Sequence, residues 1–197
     1  IFEDVGNRGA FILQKDLLDF EKNLAEYIGV KYAIGVGNAT DGLQLSLMAG
    51  ELEKDSEVII SSHTMIATAS AINHVGSVPK PVEAGDDLLI DYNAIESAIN
   101  ERTRAIMPTH LNGRTCNMDQ IQLIADKYNL DIYEDAAQAL GSSFKEKSAG
   151  TFGIAAAISF YPAKNLGSLG DAGAILTNSD YIYEKILMLR DHGRDPQ

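Results

Sequence analysis

"IAAAISFYPAKNLGSLGDAGAILT" (154–177) reads as a buried strand, a glycine-spaced turn and a second buried strand, with one cation, Lys164, at the head of the turn. An unbroken apolar run such as 154–158 marks a strand covered on both faces. Working outward, the same signal recurs. Strands are expected at "YAIGV" (32–36), "EVII" (57–60), "VPKPVE" (78–83), "RAIMPTH" (104–110) and "LDIYED" (130–135), besides "AAISFY" (156–161) and "AGAILT" (172–177) of the opening stretch. Helical patterns fit 14–28, 41–51, 64–75, 91–100, 117–129 and 180–190. The first is the clearest: Leu17, Leu18, Phe20, Leu24, Ala25 and Ile28 share a face, Asp19, Glu21, Lys22 and Glu26 lie mostly opposite, and Gly29 ends it. Strands alternating with helices over short joins predict an α/β fold, a three-layer sandwich with a mostly parallel sheet. In such sheets ligands gather at the carboxyl ends of the strands.

Composition narrows the function. Hydrophobic residues make up 45% and charged residues 22% of the 197, an ordinary globular balance, and at this length roughly 70% of the unfolded surface can be buried without staples. The formal charge of −12 argues against nucleic acid or an anionic membrane as partner. A single cysteine, Cys116, cannot close an intrachain disulfide and suits a cytoplasmic location. No apolar run approaches the ~20 residues that span a bilayer, and "IFEDVGNRGAF" (1–11) has no signal-peptide pattern. The chain begins on Ile1 rather than Met and stops in a polar loop, "RDHGRDPQ" (190–197), so truncation is expected.

Three features bear on chemistry. In "GVGNATDGLQLSL" (35–47) a strand gives way to a small-residue turn, and Asn38 or Thr40 can cap a helix whose free amides bind phosphate. Thr40 stands where the third glycine of a dinucleotide fingerprint belongs, so that motif is absent. In "YEDAAQALGS" (133–142) a strand delivers Glu134 and Asp135 at its end, followed by Ala136 and Ala137, whose small side chains leave room for a flat ring. A buried carboxylate there needs a cationic or N–H partner, such as a protonated pyridine nitrogen. Lys164, between a packed strand and an open turn, sits in the partly desolvated setting that prepares a lysine for Schiff-base chemistry. The bland readings are an ordinary helix cap, a solvated turn acid and a surface lysine. In this order, however, the three are the parts of a pyridoxal 5'-phosphate enzyme. His63, His74, His110 and His192 are spaced too widely for a metal motif, so no metal is expected; His110 either approaches the cofactor or is a satisfied structural histidine. Cys116 is read as incidental.

The blocks "NATDGLQLSL" (38–47), "SSHTMIATASAI" (61–72), "EDAAQALGSSFKEKSAGTFG" (134–153) and "SFYPAKNLGSLGDAGAILTN" (159–178) resemble those of the DegT/StrS nucleotide-sugar aminotransferases, a family of fold-type I enzymes. The similarity runs from about residue 10 to 194. It implies an aspartate-aminotransferase-like large domain over residues 1–197, with a small C-terminal domain beyond Gln197. It also implies roles. Lys164 would carry the cofactor as a Schiff base and later shuttle a proton. Asp135 would keep the pyridine nitrogen protonated, with Gln138, one helical turn on, near the ring. Ser159 and the amides of Ala39 and Thr40 would take the phosphate, and Met65 would cover the ring face. Two departures are visible: Ala39 stands where the family usually has glycine, and Met65 where it has an aromatic residue, so stacking is expected to be weaker.

The resemblance implies transamination of a keto sugar carried on a nucleotide diphosphate, with L-glutamate as amino donor, closest to members that aminate the 3-keto position. It also implies a homodimer with shared active sites, in amino-sugar or polysaccharide biosynthesis. Relatives that dehydrate instead replace the lysine with histidine, so Lys164 speaks against that chemistry. The rival reading is a pyridoxal-phosphate-binding regulator without turnover.

Overall fold

A computed structural model of the chain describes residues 2–195; Ile1, Pro196 and Gln197, and with them the end of the polar loop at 190–197, lie outside the described residues. In chain order the elements are α1 (Phe2–Arg8), α2 (Lys15–Ile28), β1 (Tyr32–Val36), α3 (Ala39–Ala49), β2 (Glu57–Ser61), α4 (Ile66–His74), β3 (Val78–Val82) and α5 (Tyr92–Ala98). There follow β4 (Thr103–Met107), α6 (Met118–Tyr128), β5 (Asp131–Asp135), β6 (Ser143–Phe144), β7 (Lys147–Ser148), β8 (Ala155–Ser159), β9 (Gly173–Thr177) and α7 (Asp180–Arg190). Seven strands form one sheet in the order β1-β9-β8-β5-β4-β2-β3, and β6 pairs with β7 in a separate ribbon. Neighbours pair in parallel from β8 through to β3, whereas β9 is antiparallel to both β1 and β8. The sheet is mostly parallel and mixed, as expected, with β9 its one reversed strand.

Alternation along each strand builds the three layers. Val58 and Ile60 of β2, Ala105 and Met107 of β4 and Ala155 and Ala157 of β8 pack with Leu43 and Leu47 of α3, Ala71 and Ile72 of α4 and Ile182 and Ile186 of α7. On the opposite face Ile59, Ile106 and Ile132 meet Ile95 of α5 and Ile121 and Ile124 of α6. Beside them Ala156, Ile158, Ala174 and Leu176 meet Leu24, Ala25 and Ile28 of α2. All five positions of β2, β8 and β9 are buried, so these strands present no side to solvent.

Small residues bring one helix unusually near the sheet. A Cβ added to Gly42 of α3 would lie 3.0 Å from the Ala157 Cβ, and one added to Gly173 of β9 would lie 2.5 Å from the Asn38 carbonyl carbon. The start of α3 is therefore pressed against the start of β9, and no side chain fits between them.

Elsewhere the structure corrects the expected elements. The strand expected over 104–110 is Thr103–Met107, because Pro108 has no N–H for the ladder; pairing resumes only as a single bridge between Thr109 and Asp135. On α2, Leu18 is exposed while Glu21, assigned to the polar face, is buried, accepting the Gly35 N–H at 2.7 Å and pairing with Arg190 of α7. Gly29 ends α2 in the left-handed conformation, as expected. The ribbon of β6 and β7 turns through Lys145 and Glu146, both at positive φ without a glycine to announce the turn. Helix α1 buries none of its residues, so no apolar stripe marked it.

The close approach at Gly173 is testable. Gly173→Ala is expected to lower unfolding free energy by about 2 kcal/mol, the scale of an overpacked site, as measured by denaturant unfolding; wild-type stability would show that the helix start can retreat freely.

Candidate active site

Chain segments leaving the carboxyl ends of β1, β2, β4, β5 and β8 converge on a cleft of about 530 Å³. Its lining holds all seven residues singled out in the sequence: Ala39, Thr40, Met65, Asp135, Gln138, Ser159 and Lys164. A larger groove of about 860 Å³, walled by Phe11, Ile12, Phe20 and Phe160, has Arg190 as its one charged lining residue. One terminal nitrogen of that guanidinium bonds Glu21 and the Gly35 carbonyl, while its buried Nε has no partner among the described residues. Size therefore does not locate the chemistry; the polar groups do.

One end of the cleft suits an anion. Asn38, not Thr40, caps α3, its side-chain oxygen accepting the Asp41 N–H at 2.8 Å. The helical ladder begins with the Gly42 N–H on the Asn38 carbonyl. Among the described residues the amides of Ala39 and Thr40 have no protein acceptor, so two N–H groups at a positive helix end remain to be satisfied. Ser159, at the end of β8, accepts the Tyr161 N–H at 3.3 Å, which leaves its own O–H to donate.

The other end suits a cation. Asp135 is only 3% exposed. One carboxylate oxygen accepts the Thr68 hydroxyl at 2.6 Å and the other the Ala137 N–H at 3.1 Å. Burial pushes its carboxyl above the usual range, opposed by those two hydrogen bonds and by the Lys164 ammonium. A buried carboxylate on the wall of a cleft is stabilised by a positive N–H donor. The half-buried Lys164 stands on the same cleft, its amide closing a turn onto the Tyr161 carbonyl at 2.8 Å. A flat molecule with a phosphate at one end and a protonated ring nitrogen at the other fits this donor set, with an amine near it for covalent attachment.

The remaining predicted residues have plainer settings. Gln138 lies in a tight turn, not a helix; its side-chain oxygen accepts the Asn112 N–H at 3.1 Å. Met65 precedes α4, lines the cleft and is 61% exposed. His110 is not in the cleft lining but fully buried behind it, bonded through Nε2 to Glu134 at 2.8 Å. The Cys116 amide donates to His110 Nδ1 at 3.2 Å. An amide has no lone pair to offer, so Nδ1 bears no proton and the ring donates through Nε2. Cys116, read as incidental, thus fixes the tautomer through its backbone. Glu134 also accepts N–H groups from Gly150 at 2.8 Å and from Phe152 and Gly153 at 2.7 Å. Burial would raise its carboxyl, but His110 and these amides prevail and hold it below the usual range. Adjacent acids on one strand therefore have opposite duties: Glu134 is locked and Asp135 is left available. Thr68 and Thr109, which sequence reading did not single out, complete the Asp135 surroundings; the threonines four residues apart at 64 and 68, astride a helix start, were the one available signal.

Among the described residues no group of three or more potential ligands could hold a metal. A family profile, the DegT/DnrJ/EryC1/StrS aminotransferase family, matches residues 2–197. The chain is 46% identical over 186 residues to the dTDP-3-amino-3,6-dideoxy-alpha-D-galactopyranose transaminase of Aneurinibacillus thermoaerophilus, covering 94% of this chain and 51% of that protein. It is 43% identical over 175 residues to the erythromycin biosynthesis sensory transduction protein EryC1 of Saccharopolyspora erythraea, covering 88% and 48%. The crystal structure of S. venezuelae DesV in complex with a ketimine intermediate superposes with a TM-score of 0.90 at 41% identity, over 94% of this chain and 50% of that one. The chain spans about half the length of the curated relatives it matches.

The desolvated state of Asp135 sets a pH signature. Because its folded-state carboxyl lies above the usual range, the cofactor-free protein loses stability as pH rises from the ordinary carboxylate value, near 3.8, through the raised one. Asp135→Asn lacks that loss and is expected to be roughly 1 kcal/mol more stable at neutral pH. Thermal unfolding of both proteins across pH checks this; parallel curves would mean that the acid is not strained by burial.

Proposed function

The chain belongs to the DegT/DnrJ/EryC1/StrS aminotransferase family, and from that premise we propose that it forms the cofactor-binding domain of a pyridoxal-phosphate-dependent sugar aminotransferase. The substrate class is a keto sugar carried on a nucleotide diphosphate, and the amino donor is L-glutamate. Lying on one cleft, Lys164, Asp135, Ser159 and the unsatisfied amides of Ala39 and Thr40 are the observation that carries this reading.

In it, the Ala39 and Thr40 amides and the Ser159 hydroxyl hold the phosphate, and Asp135 holds the protonated ring nitrogen. Gln138 would border the ring and Met65, with its polarisable thioether, would cover one face. Pyridoxal 5'-phosphate, when bound, supplies an aldehyde for amine exchange and an electron-withdrawing ring. Lys164 Nζ would hold the cofactor covalently through its aldehyde carbon, with loss of water, and as a free amine would serve as the base and acid that takes and returns a proton. Asp135 would keep the ring nitrogen charged, which a neutral partner could not do.

A preference for the 3-keto position is supported by the name of the Aneurinibacillus relative. Amino-sugar biosynthesis in the cytoplasm, for polysaccharide or another glycosylated product, and a homodimer with shared active sites complete the proposal. A second reading, a cofactor-binding regulator without turnover, is favoured by the sensory-transduction name of a relative.

Sodium borohydride reduction of the cofactor-loaded protein, followed by peptide mass mapping, is expected to find the cofactor on Lys164, and Lys164→Ala should lose both the adduct and all transamination. Glutamate should bleach the visible absorbance of the holoenzyme, and a panel of keto sugar nucleotides read by NMR should yield a 3-amino product. Adduct without bleaching would favour the regulator; no adduct would sink both readings.

A further inference from the structure

Asp135 is not held by a lone hydroxyl. Thr64 Oγ1 lies 2.7 Å from Thr68 Oγ1 and 2.8 Å from Thr109 Oγ1, while Thr68 Oγ1 lies 2.6 Å from the Asp135 carboxylate. Thr68 and Thr109 are buried, and the pair Thr64–Thr68 bridges the start of α4 to the end of β5. The direction of the chain follows from chemistry. An ionised carboxylate has no proton to give, so Thr68 donates to it. With its single proton committed, Thr68 can only accept from Thr64, and Thr64 in turn only from Thr109. Three hydroxyls therefore point the same way, each polarising the next, and all end on one oxygen of Asp135. Thr109 itself lines the cleft, so the chain runs from the wall of the site to its acid.

We propose that Thr68 is a positioning residue, and that the Thr109–Thr64–Thr68 chain aims the Asp135 carboxylate at the ring slot and keeps it a carboxylate there. The inference rests on the aminotransferase reading above, and it concerns residues to which no role has been assigned. Without the chain, the Asp135 carboxylate would retain, among the described residues, only the Ala137 amide as a hydrogen-bond partner. The charged and titratable groups around the cleft that holds Asp135 are Asp41 of α3, Tyr161, Lys164 and Asp171 from the segment after β8, His110 from the segment after β4, and Glu134 next along β5, with His110 and Glu134 tied to each other. Each stays in place when Thr68 is altered. The hydroxyl is therefore the variable that a substitution isolates.

Thr68→Val keeps the shape and removes the donor; Thr68→Ser keeps the donor. In Thr68→Val the pyridoxal phosphate dissociation constant should rise roughly tenfold, the size of a hydrogen bond to a charged group. Removing a donor to the charged form raises the carboxyl further, so weakening of cofactor binding on the acid side should begin at higher pH than in wild type. Turnover should fall roughly ten- to a hundredfold in kcat, with little change in KM for the sugar nucleotide. Thr68→Ser should restore affinity, pH profile and kcat together, and Thr64→Val, one link back, should move all three in the same direction by less, which keeps the test alive if Thr68→Val does not fold. Wild-type protein that takes up no pyridoxal phosphate would overturn the aminotransferase reading itself. Wild-type uptake combined with an unshifted affinity and pH profile in Thr68→Val, or in Thr64→Val where only that variant folds, would overturn the positioning role alone.

Discussion

A carboxylate held almost out of reach of water is the constraint on which the site depends. Asp135 ends β5 on the wall of the cleft, where burial raises its carboxyl against the pull of the Thr68 hydroxyl and the Ala137 amide. Glu134 could have shared the burden, yet His110 and three backbone amides occupy it fully. The fold thus spends a complete hydrogen-bond shell on one acid of the pair and leaves the next with an open side. Such an arrangement is poor for the empty protein and good for a cationic ring, which is the usual relation between a binding site and the stability of its scaffold.

The opposite end of the cleft depends on absent side chains. Gly42, Ala157 and Gly173 let α3 sit close to β8 and β9, and this proximity brings the unsatisfied amides of Ala39 and Thr40 to the edge where Ser159 emerges. The helix start would be an unremarkable N-terminus if α3 stood farther from the sheet. Placement, rather than any single strong donor, makes it suited to an anion.

Much of this was legible in the chain. The uninterrupted runs of β1, β2, β8 and β9 announced strands buried on both faces, and Asp135 and Lys164 stood out because small residues surround them. What sequence reading missed has physical reasons. Glu21 carries a charge and was assigned to solvent, but its partners are the Gly35 amide in the next strand and Arg190 at the far end of the chain. The Lys145–Glu146 turn takes positive φ without glycine, so the ribbon had no composition signal. Thr68 was not singled out, because its role exists only once the segments after β2, β4 and β5 are brought together. Gln138 lay in the cleft as expected, on a turn rather than a helix, since Ala136 to Ala139 close back on themselves.

The reversed direction of β9 has a consequence for how the molecule can vary. A parallel partner for β8 would have required a crossover, carrying the chain to the far rim of the sheet and back. Because β9 runs the other way, the segment bearing Lys164 leaves and re-enters the sheet at the same rim. It is a hairpin pinned at both feet. Residues there can change without shifting the strand register, but not all of them: a Cβ added at Gly167 would lie 2.4 Å from the Pro162 carbonyl oxygen and Ser168 bonds the Phe160 carbonyl, so Lys164 rides on a connection whose path is fixed from both strands.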